Sequence, residues 1–351
     1  MYEFKIENKK VSNKSPIYII AEAGVNHNGS IAKGKKLIDI AVKAKADAIK
    51  FQTFKADNII IPKGPKAKYH IQTTGTDKKL SWLSLLKSQE ISEKMHVELI
   101  KYCKKKKITF LSTPYDEDSA LLLNKLKINA FKVASTDNDN YPFIKFLKKL
   151  KKPIILSTAM SSMQEIEKAY KLLKSSNFKS FAIMQCTGNY PTKIKNVNLN
   201  VIDEYKKKFK CPIGFSDHTL DATSAIASVA KGVKIIEKHF TISKKLYGPD
   251  HRMSLEPDEL IEFVKEIRKA EQSLGGQKKI VIKSEIENRK KLKKSLVAVK
   301  NILKGEVIKY KLIDIKRPAY GLRPAELNKI IGKKAKKSIK KDTILKKEMF
   351  K

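Results

Sequence analysis

A repeating order of strand and helix signals runs through the chain from Ile17 to about Leu274. Amphipathic segments with helical spacing, such as Ile31 to Ala46 and Asp258 to Leu274, alternate with short runs of β-forming residues. The eight runs are YIIAEAG (18–24), AIKFQTF (48–54), ITFLSTP (108–114), AFKVAS (130–135), PIILSTA (153–159), FAIMQCT (181–187), IGFSDH (213–218) and IIEKHF (235–240). Eight such units predict a (β/α)8 TIM barrel, an α/β fold with a closed parallel sheet.

The repeat stops at Gly275 and Gly276, and this divides the chain. We predict a barrel domain at 1–275, followed by a charged linker at 276–294. Residues 295–351 contain short strand-like runs and turns, which predicts a small second domain near the minimum size that folds alone.

One connection inside the barrel is unusually long. Between Phe54 and Ser92 the chain is polar, contains several Pro and Gly residues, and includes the turn QTTGT at 72–76. Long loops in compact domains often act as lids. This loop would leave the carboxyl end of the second strand.

The formal net charge of +39 at pH 7 raises the question of a nucleic-acid partner. The positive charge is nearly all lysine, spread over the whole chain, and only five residues are arginine. Specific readers of phosphates and bases favour arginine. The pattern therefore indicates solvated helix faces, and we expect no nucleic-acid partner.

The chain has no stretch close to the roughly 20 apolar residues of a membrane-spanning helix. Its first 15 residues are polar and rich in lysine, so we predict a cytoplasmic protein with no targeting segment and no membrane partner. Cys103, Cys186 and Cys211 form no CxxC pair, which favours free thiols over a zinc ribbon or disulfides.

Two lysines, Lys50 and Lys132, lie inside predicted strands. A buried lysine is costly unless it meets a bound anion or a carboxylate. Neighbouring strands end in Ser and Thr residues that suit phosphate, and parallel barrels have their active sites at these strand ends. We predict an anion site there, with a structural ion pair as the alternative for each lysine.

His218 and His239 end adjacent predicted strands, which favours two imidazoles on one divalent metal ion. Two histidines with oxygen neighbours suit manganese, magnesium or iron better than a closed zinc site. The alternative is a pair of hydrogen-bonded core histidines. Glu22, at the end of the first strand, can act as a base or orient a water, or can anchor a loop to a lysine. Asp250 lies in a GPDH loop, which is a weak signal alone.

Nine ordered motifs carry a family resemblance: AEAGVNHNG, IKFQTF, STPYD, FKVASTDNDNYP, ILSTAM, QCTGNYPT, GFSDHT, EKHFT and GPDHRMSLEP. Together they resemble the sialic acid synthases, which use phosphoenolpyruvate to make N-acetylneuraminate and related nonulosonates. The resemblance runs from Tyr18 to Lys351, and KRPAYGLRP at 316–324 is similar to the family's antifreeze-like (SAF) domain.

The resemblance implies condensation of phosphoenolpyruvate with an N-acyl-mannosamine-type sugar and water. The products would be a sialic-type nonulosonic acid, N-acetylneuraminate or legionaminate, and phosphate. It implies a divalent metal, Mn2+ or Mg2+, on His218 and His239, and Glu22 placed near the reacting carbons. The implied phosphoenolpyruvate contacts are Lys50, Lys132, Thr113, Ser135, Ser157 and Ser216. The implied sugar contacts are Gln52, Asp137, Tyr190, Asp250 and, from the other subunit of a domain-swapped homodimer, Arg317.

The chain departs from the family pattern at Gly188, where Asn or Ser is expected, and at Met253, where a smaller residue is expected. The QTTGT segment resembles the neuraminate and legionaminate branches more than the pseudaminate branch. Two other functions stay open at this point. One is a Schiff-base pyruvate aldolase using Lys132 or Lys238, and the other is a non-catalytic basic protein that binds carbohydrate or nucleic acid.

Overall fold

The computed structural model describes residues 2–276 and 278–351. The chain forms two compact units, one ending at Gly275 and the other beginning at Gly276. Among these described residues, no helix is both long enough and apolar enough to cross a membrane.

The first unit contains a closed barrel of eight parallel strands, which confirms the predicted fold. A short antiparallel hairpin, β1 (Glu3–Ile6) and β2 (Lys9–Ser12), precedes it. The barrel strands are β3 (Tyr18–Gly24), β4 (Ala48–Thr53), β5 (Thr109–Pro114), β6 (Phe131–Val133), β7 (Ile154–Ser157), β8 (Phe181–Cys186), β9 (Ile213–Asp217) and β10 (Ile235–His239). Pairing of β10 with β3 closes the sheet.

Helices surround the barrel, and polar residues mark where several of them begin. The side chains of Ser30, Ser92 and Ser162 each accept a hydrogen bond from the backbone N–H three residues ahead, which is the usual N-cap arrangement. The principal helices are α1 (Ile31–Lys43), α5 (Glu93–Lys106), α6 (Glu117–Lys125), α7 (Tyr141–Lys149), α8 (Met163–Lys174), α9 (Val201–Lys208), α10 (Thr223–Ala230) and α11 (Pro257–Leu274).

The long connection between β4 and α5 forms three short helices, α2 (Ala56–Ile59), α3 (Lys68–Thr74) and α4 (Trp82–Lys87). The Tyr247 hydroxyl, in the loop after β10, donates a hydrogen bond to the Thr74 carbonyl of α3 at 3.0 Å. This contact holds α3 at the carboxyl end of the barrel, where the predicted lid was expected.

Side chains along each strand alternate between the surrounding helices and the barrel interior. Ile19 packs in the large cluster shared with the helices, whereas Ile20 packs in a second cluster inside the barrel. The hairpin adds Phe4, Ile6 and Val11 to that inner cluster. It therefore closes the amino end of the barrel with apolar side chains and leaves the carboxyl end for polar ones.

The second unit has its own small core around the antiparallel pair β11 (Ser295–Ala298) and β12 (Ile313–Lys316). Leu296, Ile302 and Leu345 are among the fully buried residues of this core. The predicted linker at 276–294 contains a helix, α12 (Ile286–Leu292).

Candidate active site

A layer of polar side chains fills the carboxyl end of the barrel interior. Side chains two residues apart on a strand point to the same side of the sheet. Each residue of this layer lies two positions after a residue that faces the barrel interior, so it also faces inward. The layer consists of the buried residues Glu22, Lys50, Thr113, Lys132, Ser157, Ser216 and Glu237. Six of the seven are predicted site residues, and the structure brings them together.

Lys50 forms one half of this layer. Its ammonium lies 2.8 Å from Glu22 Oε2 and donates a hydrogen bond to Thr113 Oγ1 at 2.8 Å. Both members of the Lys50–Glu22 pair are almost completely buried. The structural alternative for Lys50, an ion pair, is therefore present, and it lies inside the predicted anion site.

Lys132 forms the other half, and Glu237 lies between the two lysines. The Lys132 ammonium donates to Ser157 Oγ at 2.5 Å. The Glu237 carboxylate is 3.7 Å from Lys50 through one oxygen and 3.7 Å from Lys132 through the other. Ser216 donates to Glu237 Oε1 at 3.2 Å. The layer thus holds two ammonium groups next to three hydroxyls.

Burial and neighbouring charges give the carboxyl groups of Glu22 and Glu237 different pKa values. Burial raises the pKa of Glu22 to about 7, although the Lys50 ammonium lowers it in part. Burial also acts to raise the pKa of Glu237, but Lys132 and Lys50 outweigh it and hold that pKa below its ordinary value. Near neutral pH Glu237 is a carboxylate, while Glu22 can both take up and release a proton.

His218 and His239 face each other with their ring centroids 5.6 Å apart. His218 Nδ1 lies 2.8 Å from the Thr187 carbonyl. That carbonyl can only accept, so we assign the hydrogen to Nδ1 and the lone pair to Nε2. Burial, aided by His218, lowers the pKa of His239 well below its usual range, which keeps this imidazole neutral.

These two histidines fit a divalent metal ion. His239 Nδ1 is buried without a hydrogen-bond partner among the described residues. The Nε2 of His218 lies 3.9 Å from the Cys186 sulfur, a weak partner that a metal ion can replace. In the same described part of the chain, no three His, Cys, Asp or Glu side chains form a metal-binding group. A metal here would therefore have two protein ligands of this kind and positions left for substrate or water, as manganese and magnesium accept.

The predicted sugar contacts Gln52, Tyr190 and Asp250 surround this pair. Gln52 donates to Glu22 Oε1 at 3.4 Å, and the Tyr190 ring lies over His218 with centroids 4.2 Å apart. Asp250 Oδ2 is 4.0 Å from His239 Nδ1. Burial raises the pKa of Asp250 to about 6.

Three further predicted residues lie outside the hydrogen-bonded layer. Ser135 Oγ accepts from the Ala159 N–H at 2.9 Å, and Asp137 accepts from Asn140 at 3.0 Å. Both follow β6, at the carboxyl end of the barrel. Arg317 belongs to the second unit and is exposed to solvent.

Lys238, one of the two lysines considered for a Schiff base, points away from the barrel interior. It pairs with Asp217 Oδ2 at 2.9 Å and donates to the Thr219 carbonyl at 2.6 Å. Its ammonium also lies 5.7 Å from the centre of the Phe263 ring on α11. Lys238 is therefore a structural residue, and its suggested role as an aldolase nucleophile is wrong.

Gly188 has a structural explanation. A Cβ at this position would lie 2.9 Å from Met160 Cγ and 3.2 Å from its sulfur. The Met160 side chain thus occupies the space that an Asn or Ser side chain at 188 would enter.

Sequence reasoning missed Glu237 as a site residue, although a signal was present. Glu237 has the same parity as Ile235 and His239 in its strand, so it faces inward, whereas Lys238 faces outward. It also missed Tyr69 on α3, whose ring packs on Tyr190 with centroids 5.0 Å apart. No local pattern in the loop predicts that contact.

Comparison with known proteins finds relatives of the whole chain. Residues 37–279 match the NeuB family, and residues 293–351 match the SAF domain. The chain is 43% identical to the N,N'-diacetyllegionaminic acid synthase of Campylobacter jejuni, over 93% of this chain and 98% of that protein. It is 34% identical to the enzyme of the same name from Legionella pneumophila, over 96% of this chain and 97% of that protein.

The chain is also similar to a solved structure of a synthase of this kind. The N-acetylneuraminic acid synthetase of Leptospira borgpetersenii, in complex with citrate, superposes with a TM-score of 0.71 at 33% identity. The match covers 82% of this chain and 94% of that one. The polar layer, the barrel and these matches lead to one conclusion, which confirms the resemblance: the chain belongs to the NeuB family of sialic acid synthases and carries a SAF domain.

Proposed function

We propose that this chain is a metal-dependent synthase that condenses phosphoenolpyruvate with an N-acyl-mannosamine-type sugar and water. The products are a sialic-type nonulosonic acid, N-acetylneuraminate or legionaminate, and phosphate. The observation that carries this proposal is the buried pair Lys50 and Lys132, each bonded to a hydroxyl and both beside Glu237. The names of the relatives support the same substrates.

The two lysines bind the anionic groups of phosphoenolpyruvate. Their ammonium groups and the hydroxyls of Thr113, Ser157 and Ser216 provide charge-assisted hydrogen bonds to phosphate or carboxylate oxygens. Because these donors are buried and already held by neighbours, little reorganisation is needed when charge shifts in the transition state. Ser135, after β6, completes this set in our proposal.

The sugar binds above them, with its open-chain aldehyde toward the two histidines. Gln52, Tyr190, Asp137 and Asp250 position its hydroxyls. C3 of the enol then forms a bond to the aldehyde carbon, water adds at C2, and phosphate leaves with its bridging oxygen. Glu22, with a pKa raised to about 7, moves a proton at the reacting oxygens.

His218 and His239 hold the divalent ion, Mn2+ or Mg2+, in this proposal. Such an ion supplies a Lewis acid that polarises the sugar aldehyde. The support from this chain is the pair of facing imidazoles and the unpartnered, buried His239 Nδ1 among the described residues.

We further propose a domain-swapped homodimer in the cytoplasm, in which Arg317 of one subunit reaches the N-acyl group bound by the other. The support is chemical: Arg317 is exposed in the second unit, and a guanidinium presents several donors to an amide carbonyl.

The test is phosphate release from phosphoenolpyruvate by the purified chain with N-acylated mannosamines. We expect release only with both substrates, its loss with a chelator and its return with Mn2+. Mn2+ binding, followed by electron paramagnetic resonance, should be lost in His239→Ala and kept in His96→Asn, a buried histidine bonded to Thr53 instead. Release that is insensitive to chelator, or borohydride trapping of pyruvate on Lys132, would favour the aldolase.

A further inference from the structure

Phe240, the residue that follows His239, has both of its backbone polar groups bonded to β3 or to the loop after it. The Phe240 N–H donates to the Glu22 carbonyl at 2.9 Å, and the Phe240 carbonyl accepts from Asn26 Nδ2 at 2.8 Å. Asn26 is completely buried. Because Phe240 continues the backbone of β10, these two bonds fix the direction in which His239 points.

The same carboxamide also reaches the segment that carries Asp250. Asn26 Nδ2 lies 3.1 Å from Ser254 Oγ, and the Ser254 hydroxyl donates to the Asp250 carbonyl at 2.6 Å. That carbonyl can only accept, so the Ser254 hydrogen points at it and the Ser254 oxygen accepts from Asn26. One hydrogen of the Asn26 NH2 group therefore holds the backbone beside His239, and the other holds the turn that begins at Asp250.

Stability alone does not account for an asparagine at position 26. Its Oδ1 is buried and has no hydrogen-bond partner among the described residues. An unpaired buried acceptor destabilises a fold, and exceptions of this kind are expected at functional sites. The atoms of Asn26 that are paired are the two hydrogens that face the two segments of the site.

The spacing of His239 and Asp250 depends on what ties these segments together. Asp250 Oδ2 lies 4.0 Å from His239 Nδ1, and both side chains are largely buried. His239 ends β10, whereas Asp250 lies in the loop that follows it. Asn26 is bonded to the first segment directly and to the second through Ser254, so it links the two.

We propose that Asn26 is a positioning residue for the reaction. One hydrogen of its carboxamide orients His239 for the divalent ion, and the other, through Ser254, orients Asp250 for the sugar. The inference rests on the proposed function, because His239 and Asp250 have their roles there. It adds two buried residues, Asn26 and Ser254, that act through their neighbours.

The two hydrogen bonds predict different losses in two variants. Asn26→Ala removes both, so we expect the Mn2+ dissociation constant, measured by electron paramagnetic resonance without substrates, to rise by about 10-fold. Ser254→Ala keeps the bond from Asn26 to Phe240, so this constant should change by less than about 2-fold. In Ser254→Ala the KM for the N-acylated mannosamine should rise by about 5-fold at nearly constant kcat, because only Asp250 is released.

Ser228→Ala is the matched control. Ser228 is a buried serine whose hydroxyl donates to the Ala225 carbonyl within α10 at 2.7 Å. This variant should lose stability to urea much as Ser254→Ala does, while the Mn2+ dissociation constant and the sugar KM stay at their wild-type values.

An unchanged Mn2+ constant in Asn26→Ala, or an unchanged sugar KM in Ser254→Ala, overturns the positioning role. An equal rise of the Mn2+ constant in both variants also overturns it, because it indicates general disorder of the site. If Asn26→Ala fails to fold, the two measurements on Ser254→Ala decide. A wild type that binds no Mn2+ and releases no phosphate with N-acetylmannosamine or 2,4-diacetamido-2,4,6-trideoxymannose overturns the proposed function itself.

Discussion

At the scale of single residues, the central feature is a carboxylate held between two buried ammonium groups. Glu237 accepts from Ser216 and lies 3.7 Å from both Lys50 and Lys132. Unpaired buried charges are strongly unfavourable. Glu237 and Glu22 therefore allow two lysines to stay in the barrel, and the anion site that we propose needs no rearrangement to form.

Lys132 and Lys238 are both buried lysines with opposite expected roles. Lys132→Met should lower kcat/KM for phosphoenolpyruvate by at least about 30-fold, because it removes one of two anion-binding charges. Lys238→Met should instead reduce the free energy of unfolding by about 3 kcal/mol, because it leaves Asp217 unpaired. Steady-state kinetics and urea unfolding of both variants separate these effects. If Lys238→Met loses its synthase activity while its free energy of unfolding is unchanged, our assignment of Lys238 as a structural residue is wrong.

His27 should make stability depend on pH. It is fully buried, its Nδ1 accepts from the Gly29 N–H at 3.0 Å, and burial lowers its pKa to about 4. Between about pH 6.5 and 4 the unfolded chain binds a proton that the folded chain does not, so stability is lost as pH falls. Between pH 7.5 and 5 we expect the free energy of unfolding of the wild type to fall by about 2 kcal/mol more than that of His27→Asn. Equal decreases in the wild type and in His27→Asn, measured by urea unfolding at both pH values, would contradict this prediction.

Residue type, strand position and the family resemblance together predicted much of the candidate site, within limits that have a physical cause. Lys50 and Lys132 are conspicuous because lysine is rare in apolar strand runs. Glu237, Lys238 and His239 follow one another, and which of them face inward depends on the register of the strand. Residue types alone do not give the register of a strand, and for this reason Glu237 was missed.

At the scale of elements, the short helix α3 is important for the candidate site, because it contributes an aromatic ring to a stack that reaches His218. Tyr69 packs on Tyr190, and Tyr190 packs on His218. The sequence predicted a long loop here but no helix. Helix α3 has only seven residues, and helices this short depend on tertiary contacts that local sequence does not reveal. One such contact is the hydrogen bond from Tyr247 to Thr74.

If α3 closes over the sugar, shortening Tyr69 should weaken sugar binding selectively. We expect Tyr69→Ala to raise the sugar KM by about 10-fold, since the aromatic packing on Tyr190 is lost, with the phosphoenolpyruvate KM changed by less than about 2-fold. Tyr247→Phe, which loses only one hydrogen bond to α3, should have a smaller effect in the same direction. A rise in both KM values for Tyr69→Ala would indicate general disorder of the site instead.

At the scale of the whole molecule, the eight-fold strand order predicted the barrel because each unit has its own local pattern. The hairpin that closes its amino end was not predicted. Its two strands have four residues each, and in the first of them Phe4 and Ile6 alternate with the exposed Glu3 and Lys5, a pattern that is also common in surface strands. The apolar side chains of the hairpin are explained by their burial in the cluster inside the barrel, which the local sequence does not show.

The proposed homodimer can be tested by complementation between two variants, each of which has lost most or all of its activity. His239→Ala removes a proposed metal ligand in the barrel, and Arg317→Ala removes a proposed sugar contact in the second unit. If Arg317 acts on the partner's site, coexpression of the two variants forms heterodimers in which one site has both residues. Random pairing then gives about a quarter of wild-type activity. Activity no higher than that of Arg317→Ala alone would place Arg317 in its own subunit's site, or in none.

The proposed condensation is tested most directly by following the oxygen atoms of water through the reaction. The purified chain is supplied with phosphoenolpyruvate, a 2,4-diacylamino or N-acetyl mannosamine and Mn2+ in 18O-labelled water, and the phosphate and sugar acid are examined by mass spectrometry. We predict a nonulosonic acid whose carbon skeleton combines both substrates, together with unlabelled phosphate, because the C–O bond breaks. Labelled phosphate, or pyruvate without a condensed product, would contradict the account.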